Sequence, residues 1–260
     1  MQCRELTKWL EAKWPCARAE SWDNVGLLAG RQDKEIGVVM VALDAVDAVV
    51  DEALRRGADM LLTHHPLIFS ARKQINDSDF IGRRLLKLLG SDVCYYAMHT
   101  NFDVCSMADV AADRIGLMQR QVLDVTYEDG DIREGIGRFG KLPREASLEI
   151  WGKQVKEAFG LESVKIFGAR EQKVSLAAIC PGSGKSVIGK AVELGADVLI
   201  TGDIDHHAGI DAMAMGLCII DAGHYGLEQI FPIYMEERLK QAWSGLTVLR
   251  AEEKNPFWII

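Results

Sequence analysis

Gly57-Ala58-Asp59-Met60-Leu61-Leu62-Thr63 decides how this chain folds, because the pattern returns as Gly195-Ala196-Asp197-Val198-Leu199-Ile200-Thr201. A glycine ending a helix, a short polar step and an apolar run mark a helix handing over to a buried strand. At the same offset, Val50 and Ala53 of the preceding amphipathic stretch align with Ile188 and Ala191, and the apolar run 38–43 aligns with 176–181. Each copy reads as strand, helix, strand. Gly-Ala-Asp before a strand is also a common turn in its own right, but here a polar element repeats with the apolar one. His99-x-x-x-Asp103 is echoed by His224-x-x-x-Glu228 at a slightly shorter offset, and a helical pattern follows each. We read an internal duplication: two similar α/β lobes whose strand ends face a shared cleft, where open α/β sheets bind ligands.

Outward from these copies the alternation continues. Strands are expected over 37–43, 59–63 and 93–98 and helices over 46–56, 80–89 and 108–116, the pattern of a βαβ sheet. Residues 121–142 differ. There Val122-Leu123-Asp124-Val125 and Gly135-Ile136-Gly137-Arg138-Phe139-Gly140 flank the polar turn Glu128-Asp129-Gly130-Asp131, which predicts an antiparallel pair. Beyond it come helix 148–159, strands 164–167 and 174–179, helix 187–194, strand 198–201, helix 208–215, strand 217–221, helix 227–241 and a last strand 246–250. The expected division is a first lobe over 1–121, completed by 223–260, and a second over 122–222.

Composition narrows the function. With 30 Lys and Arg against 38 Asp and Glu the net charge is −8, and the basic residues form no block, which argues against a nucleic-acid partner. No apolar run approaches the roughly 18 residues that span a bilayer, and no leader-like segment opens the chain, so a membrane is not expected and the cytoplasm is. The cysteines, Cys3, Cys16, Cys94, Cys105, Cys180 and Cys218, form no C-x-x-C pair and read as buried reduced thiols.

All six histidines fall in four short segments, each after an apolar run: Thr63-His64-His65-Pro66, His99-Thr100-Asn101-Phe102-Asp103, Asp203-Ile204-Asp205-His206-His207 and His224-Tyr225-Gly226-Leu227-Glu228. Imidazole with carboxylate is the ligand set of divalent transition metals. One histidine at a strand end is commonly structural. The adjacent pair His64-His65, followed by a proline that fixes the turn, favours two ligands. Asp103 lies just before a helix expected to open near Ser106, so it either caps that helix or ligates. His99 is either a satisfied strand-end histidine or a group that orients Asp103. His224 and Glu228, four apart, share one helix face; a plain surface pair is less apt here because Asp221-Ala222-Gly223 places them at a strand end. His206 and His207 either cap a polar loop or face a substrate. Three imidazoles, an aspartate and a glutamate exceed what one catalytic zinc-type ion takes while keeping a position open, so two ions with a bridging glutamate fit better. That design activates water for attack on a polarised carbon or phosphorus.

These motifs, with Glu20-Ser21-Trp22-Asp23-Asn24-Val25-Gly26-Leu27, together resemble the Nif-three-like family of dinuclear-metal-centre hexameric proteins, also described as GTP cyclohydrolase I type 2. The resemblance covers nearly the whole chain. It implies two α/β lobes, a two-metal site between them and a toroidal homohexamer. Carried onto this sequence, the family's metal ligands are His64, His65, Asp103, His224 and Glu228, with Glu228 bridging. Some members carry an inserted domain between the lobes; none is expected here. The implied activity is opening of the guanine imidazole ring of GTP with release of formate, and His99 or His207 would move protons beside Glu228. The metal is Zn, Fe or Mn. A metal carrier that delivers iron, and a regulatory ring without catalysis, are the competing readings.

Two segments stay open. Cys180-Pro181-Gly182-Ser183-Gly184-Lys185-Ser186 ends like a phosphate-binding loop, but Ile179 stands where the first glycine is required; Lys185 either favours phosphate or is only solvated. In Trp22-Asp23-Asn24, the plainer reading packs Trp22 on the sheet beside a turn, and the functional one puts Trp22 and Asn24 at a cavity mouth, where an indole stacks on a flat ring.

Overall fold

The computed structural model describes Met1 to Ile260 throughout. In chain order it has α1 (Cys3–Lys13), β1 (Gly26–Ala29), β2 (Val38–Ala42), α2 (Asp47–Arg55), β3 (Met60–Thr63), α3 (Phe80–Gly90) and β4 (Cys94–Ala97). A single turn, α4 (Thr100–Phe102), runs through a π-helical stretch, Asp103–Met107, into α5 (Ala108–Arg114). Next come β5 (Met118–Asp129), β6 (Ile132–Ser147), α6 (Leu148–Ala158), β7 (Lys165–Phe167), β8 (Lys173–Ser183) and α7 (Ile188–Glu193). The last elements are β9 (Val198–Gly202), α8 (His206–Ala214), β10 (Cys218–Asp221), α9 (His224–Glu228), α10 (Ile230–Ala242) and β11 (Thr247–Arg250).

These elements form two units, Met1–Phe102 with Phe231–Ile260, and Asp103–Ile230. The first holds a five-stranded sheet in the order β1-β4-β3-β2-β11. Its strands pair in parallel except β1, which closes one edge antiparallel to β4. Every residue of β3 and β4 is buried. Helices covering a parallel sheet demand continuous apolar strands, and α2 and α3 bring Val50, Ala53, Leu85 and Leu88 onto Leu61 and Tyr95. The second unit holds six strands in the order β5-β6-β8-β9-β10-β7. β8, β9 and β10 run parallel, β6 pairs antiparallel with both β5 and β8, and β7 is antiparallel on β10. Ile188, Ala191 and Ala212 pack there against Ala178, Leu199 and Ile219.

The repeated sequence performs the same task in each unit. Gly57 and Gly195, at φ +67° and +76°, take the left-handed conformation that terminates a helix. Ala58 and Ala196 then donate to Ala53 and Ala191, each at 2.9 Å. Asp59 Oδ2 accepts from the backbone N–H groups of Gly37 and Val38, both at 2.9 Å. Asp197 Oδ2 accepts from those of Ser175 and Leu176, both at 2.8 Å. One carboxylate thus fastens the start of the preceding strand to the helix-to-strand turn. Both cores also carry a short antiparallel edge strand beside their last parallel strand, β1 on β4 and β7 on β10.

Four differences from the sequence reading have physical causes. The units divide at 102/103 and 230/231 instead of 121/122 and 222/223, because the intervening segments pack on the second sheet: Arg138 pairs with Asp109 at 3.0 and 2.8 Å, and Gln229 Nε2 donates to Phe159 O at 3.0 Å. The helix expected over 227–241 is two helices. Pro232 has no N–H for the Glu228 carbonyl and its ring clashes there, so α9 stops at Glu228 and the proline sits in the first turn of α10. Asp103 lies inside a helical run that already begins at Thr100, not ahead of a helix opening near Ser106. Of the six free thiols, Cys16 and Cys105 are only half-buried. Between β5 and β6 the chain turns through Gly130 and Asp131 alone. No helix is long and apolar enough to cross a membrane.

Replacing Asp59 or Asp197 with Ala leaves two strand N–H groups without their acceptor. Each variant should lose about 1–3 kcal/mol, read as a lower denaturant midpoint by circular dichroism.

Candidate metal centre

The ends of β3 and β4 set the first group. The His64 and His65 N–H groups continue the β2–β3 ladder, donating to Ala42 O at 3.2 Å and Leu43 O at 2.9 Å. Thr63 Oγ1 donates to His65 O at 2.8 Å, tightening the turn into Pro66. His64 is fully buried. Its ring lies 5.0 Å from Phe231 and 6.2 Å from Phe102, centroid to centroid. His64 Nδ1 donates to Met98 O at 2.7 Å, His65 Nδ1 to Asp44 Oδ1 at 2.9 Å and His99 Nδ1 to Asp23 Oδ1 at 2.9 Å. An imidazole held through Nδ1 presents Nε2, the arrangement that fixes tautomer and direction in metal-binding histidines. The ligating atoms of His64, His65 and His99 lie within 4.8 Å of one another.

Asp23 is the acceptor that matters most around His99. Its side chain has no exposed surface, and it also accepts from the Thr100 N–H at 3.0 Å and Thr100 Oγ1 at 2.5 Å. Burial pushes its carboxyl up, and hydrogen bonds from His99 and Thr100 outweigh that, holding the pKa at about 2. It stays ionised, and so keeps accepting.

In the second unit the turn after β10 sets the other group. Asp221 accepts from Ile204 N and Gly223 N, each at 3.0 Å, and pairs with Lys165 at 2.8 Å. Gly223, at φ +76°, swings the chain into α9. His224 and Glu228 then share one face, with His224 Nε2 3.0 Å from Glu228 Oε2. His224 Nδ1 donates to Asp203 Oδ2 at 2.8 Å. Glu228 is 2% exposed. A Cβ at Gly182 would collide with its carboxylate, one at Gly202 with the backbone of Gly223 and His224, and one at Gly184 with Thr201. Of the two glycines that gave residues 180–186 the look of a phosphate loop, Gly182 therefore makes room for the α9 carboxylate and Gly184 for Thr201 of β9. Up to Ser183 that stretch is strand β8. Asp103 is half-buried on the π-helical stretch, a distortion common at functional sites. Burial raises the Cys180 thiol well above its ordinary range, and the carboxylates of Asp103, Glu228 and Asp124 raise it further, so it stays protonated amid this negative charge.

The remaining candidates divide. His206 and His207 stand exposed on the first turn of α8, their rings 5.3 Å apart, outside every cluster of three or more potential ligands. Lys185 is exposed and pairs at 2.6 Å with Asp205, which also caps α8 through Ala208 N, so its charge is already matched. Trp22 does not pack on the sheet. It is 56% exposed, against Phe69 and His99. Asn24 ties the backbone, its Nδ2 donating to Ile68 O at 2.5 Å. His99 gives Nδ1 to Asp23, not to Asp103, the carboxylate it was expected to orient. Asp23, Asp44 and Asp203 are the carboxylates that aim three rings, and no local pattern in the sequence marks them for that role.

The chain is similar to known proteins over nearly its whole length. The family described as Duf34/NIF3 (NGG1p interacting factor 3) matches residues 1–256. A Clostridium perfringens protein named GTP cyclohydrolase 1 type 2 homolog is 31% identical, covering 100% of both chains. A Lactococcus lactis protein of the same name is 34% identical over 95% of each. A Staphylococcus aureus hypothetical protein of solved structure matches with a TM-score of 0.87 at 29% identity, covering 100% of this chain and 99% of that one.

Two outcomes are expected. Asp44→Asn and Asp203→Asn should each weaken metal binding roughly 10- to 100-fold in competition with a chromophoric chelator, while Lys185→Ala leaves it unchanged. The lowered Asp23 pKa stabilises the fold fully above the ordinary carboxylate value of 3.8, and that stability is lost as pH falls through about 2. Asp23→Asn should therefore cost about 2 kcal/mol at pH 7 and flatten the acid limb of the urea-unfolding profile.

Proposed function

The chain belongs to the Duf34/NIF3 family, and we propose on that premise that it is a metal-dependent, hydrolase-like enzyme acting on a small nucleotide or heterocyclic substrate. In this reading His64, His65, Asp103, His224 and Glu228 would hold two divalent ions, Zn, Fe or Mn. The observation that carries it is orientation: His64, His65 and His224 each commit Nδ1 to a carbonyl or carboxylate at 2.7, 2.9 and 2.8 Å, which makes Nε2 the nitrogen that would meet an ion. The room left by Gly182 for a buried glutamate carboxylate supports it.

Ions on such a donor set polarise the substrate and lower the pKa of water. The chain's own groups do the rest. Asp23 keeps His99 in the tautomer with the proton on Nδ1, so that Nε2 can take up a proton and return it. Asp203 and Asp44 stop His224 and His65 from rotating. Phe102 and Phe231 exclude water from one side of His64. His207, on the open first turn of α8, is a second proton carrier in reach of solvent. The relatives' names extend the reading to GTP: one water adds at the carbon between the two imidazole nitrogens of guanine and opens the ring to a formamide, and a second water hydrolyses that formamide, so that formate leaves and the nitrogen departs as an amine. A cytoplasmic homohexameric ring belongs to the same proposal.

Elemental analysis of protein purified without added metal, followed by a formate assay with GTP, tests this. Two ions per chain and formate release by the native protein but not by Glu228→Gln are expected. Ready loss of the ions to a chelator with no turnover would overturn the enzyme reading in favour of a metal carrier.

A further inference from the structure

We propose that Trp22 and Phe69 form the stacking face that receives the purine base of the substrate beside His99, an inference that rests on the function proposed above. The two rings are 56% and 52% exposed, with centroids 5.8 Å apart and planes at 44°. Trp22 also meets His99 edge to face at 5.9 Å and 73°. Large aromatic surface held in water next to a cluster of polar groups marks a ligand site more often than a defect of packing.

This surface is built, not frayed. Asp23 N–H donates to Glu20 O at 2.9 Å, and Glu20 N–H donates to Thr100 Oγ1 at 2.9 Å. The Asp23 carboxylate is fastened to Thr100 and His99. Asn24 Nδ2 donates to the carbonyl of Ile68, the residue before Phe69. Three consecutive residues therefore present the indole, aim the His99 ring and tie down the loop that carries the second aromatic ring. Trp22 is displayed by a backbone with no freedom to tuck it away.

The neighbours select the occupant. His99 stands within a cluster of three imidazoles whose ligating atoms lie within 4.8 Å of one another, and with its Nδ1 given to Asp23 it offers Nε2 as an acceptor to the edge N–H groups of a molecule resting on Trp22. A fused nitrogen bicycle offers both a flat π-face spanning two rings and edge nitrogens for that cluster. An aliphatic chain offers neither, and a phosphate alone gains nothing from the indole. The base end of a nucleotide belongs here.

The test titrates guanosine, GTP and inorganic tripolyphosphate into the metal-loaded native protein and the Trp22→Phe, Trp22→Ala and Phe69→Ala variants, by calorimetry and tryptophan fluorescence. Guanosine and GTP should quench the native emission, and Trp22→Phe, which keeps a ring, should bind them while losing most of that quenching. Trp22→Ala and Phe69→Ala should weaken guanosine and GTP roughly tenfold or more and leave tripolyphosphate unchanged. Guanosine that fails to bind the native protein, affinity for it unchanged in both alanine variants, or an equal loss for tripolyphosphate would each overturn the proposal. Guanosine binding that depends on Trp22 without any formate release supports the stacking face and removes only the hydrolase reading.

Discussion

An imidazole has two nitrogens, and the one that the protein holds dictates what the other can do. His64, His65, His99 and His224 all give Nδ1 to an acceptor, at 2.7, 2.9, 2.9 and 2.8 Å. The acceptors come from four places: a carbonyl just past β4, and carboxylates just past β2, ahead of β1 and just past β9. Ring direction is thereby a property of strand placement. A shift of one strand end by an ångström would re-aim a nitrogen, so ring direction in each unit is borrowed from the ladder hydrogen bonds of its own sheet.

The sheets supply that precision by a shared recipe. In each unit a glycine releases the helix, an aspartate clasps the N–H groups of the preceding strand, and a wholly buried strand carries the chain to the edge where the polar residues begin. The two units then diverge at their margins. β11 extends the first sheet in parallel beside β2, whereas the long β5–β6 hairpin extends the second in antiparallel fashion beside β8. The shared core positions histidines and carboxylates, and the margins differ without disturbing it.

The parallel strands and their helices were legible because burial on both faces leaves a continuous apolar run, and the Gly-Ala-Asp step recurs. Helix α1 carries a helical signal of its own, Cys3, Leu6, Thr7 and Leu10 at i, i+3, i+4 and i+7 among charged residues, that the alternation of strands and helices does not reach. The four residues of β1 are too few to register as a period. At the site, His64, His65, His224 and Glu228 stood out through adjacency or helical spacing. Their carboxylate partners did not, because those contacts join residues 21, 76 and 21 positions apart, and local pattern holds no information on such pairings. The choice between a packed and an exposed Trp22 stays open in the sequence for a related reason: its environment is set by Asp23 reaching Thr100 and Asn24 reaching Ile68.

Asp203 sits at φ +57°, a conformation that side-chain-bearing residues enter at a cost of about 1 kcal/mol and that glycine enters freely. Its carboxylate is also the group that steadies His224. Heat tolerance and ring alignment thus pull on this one position in opposite directions. A glycine there would relax the backbone and let the imidazole swivel, so the strain at this turn is retained together with the aim of the ring.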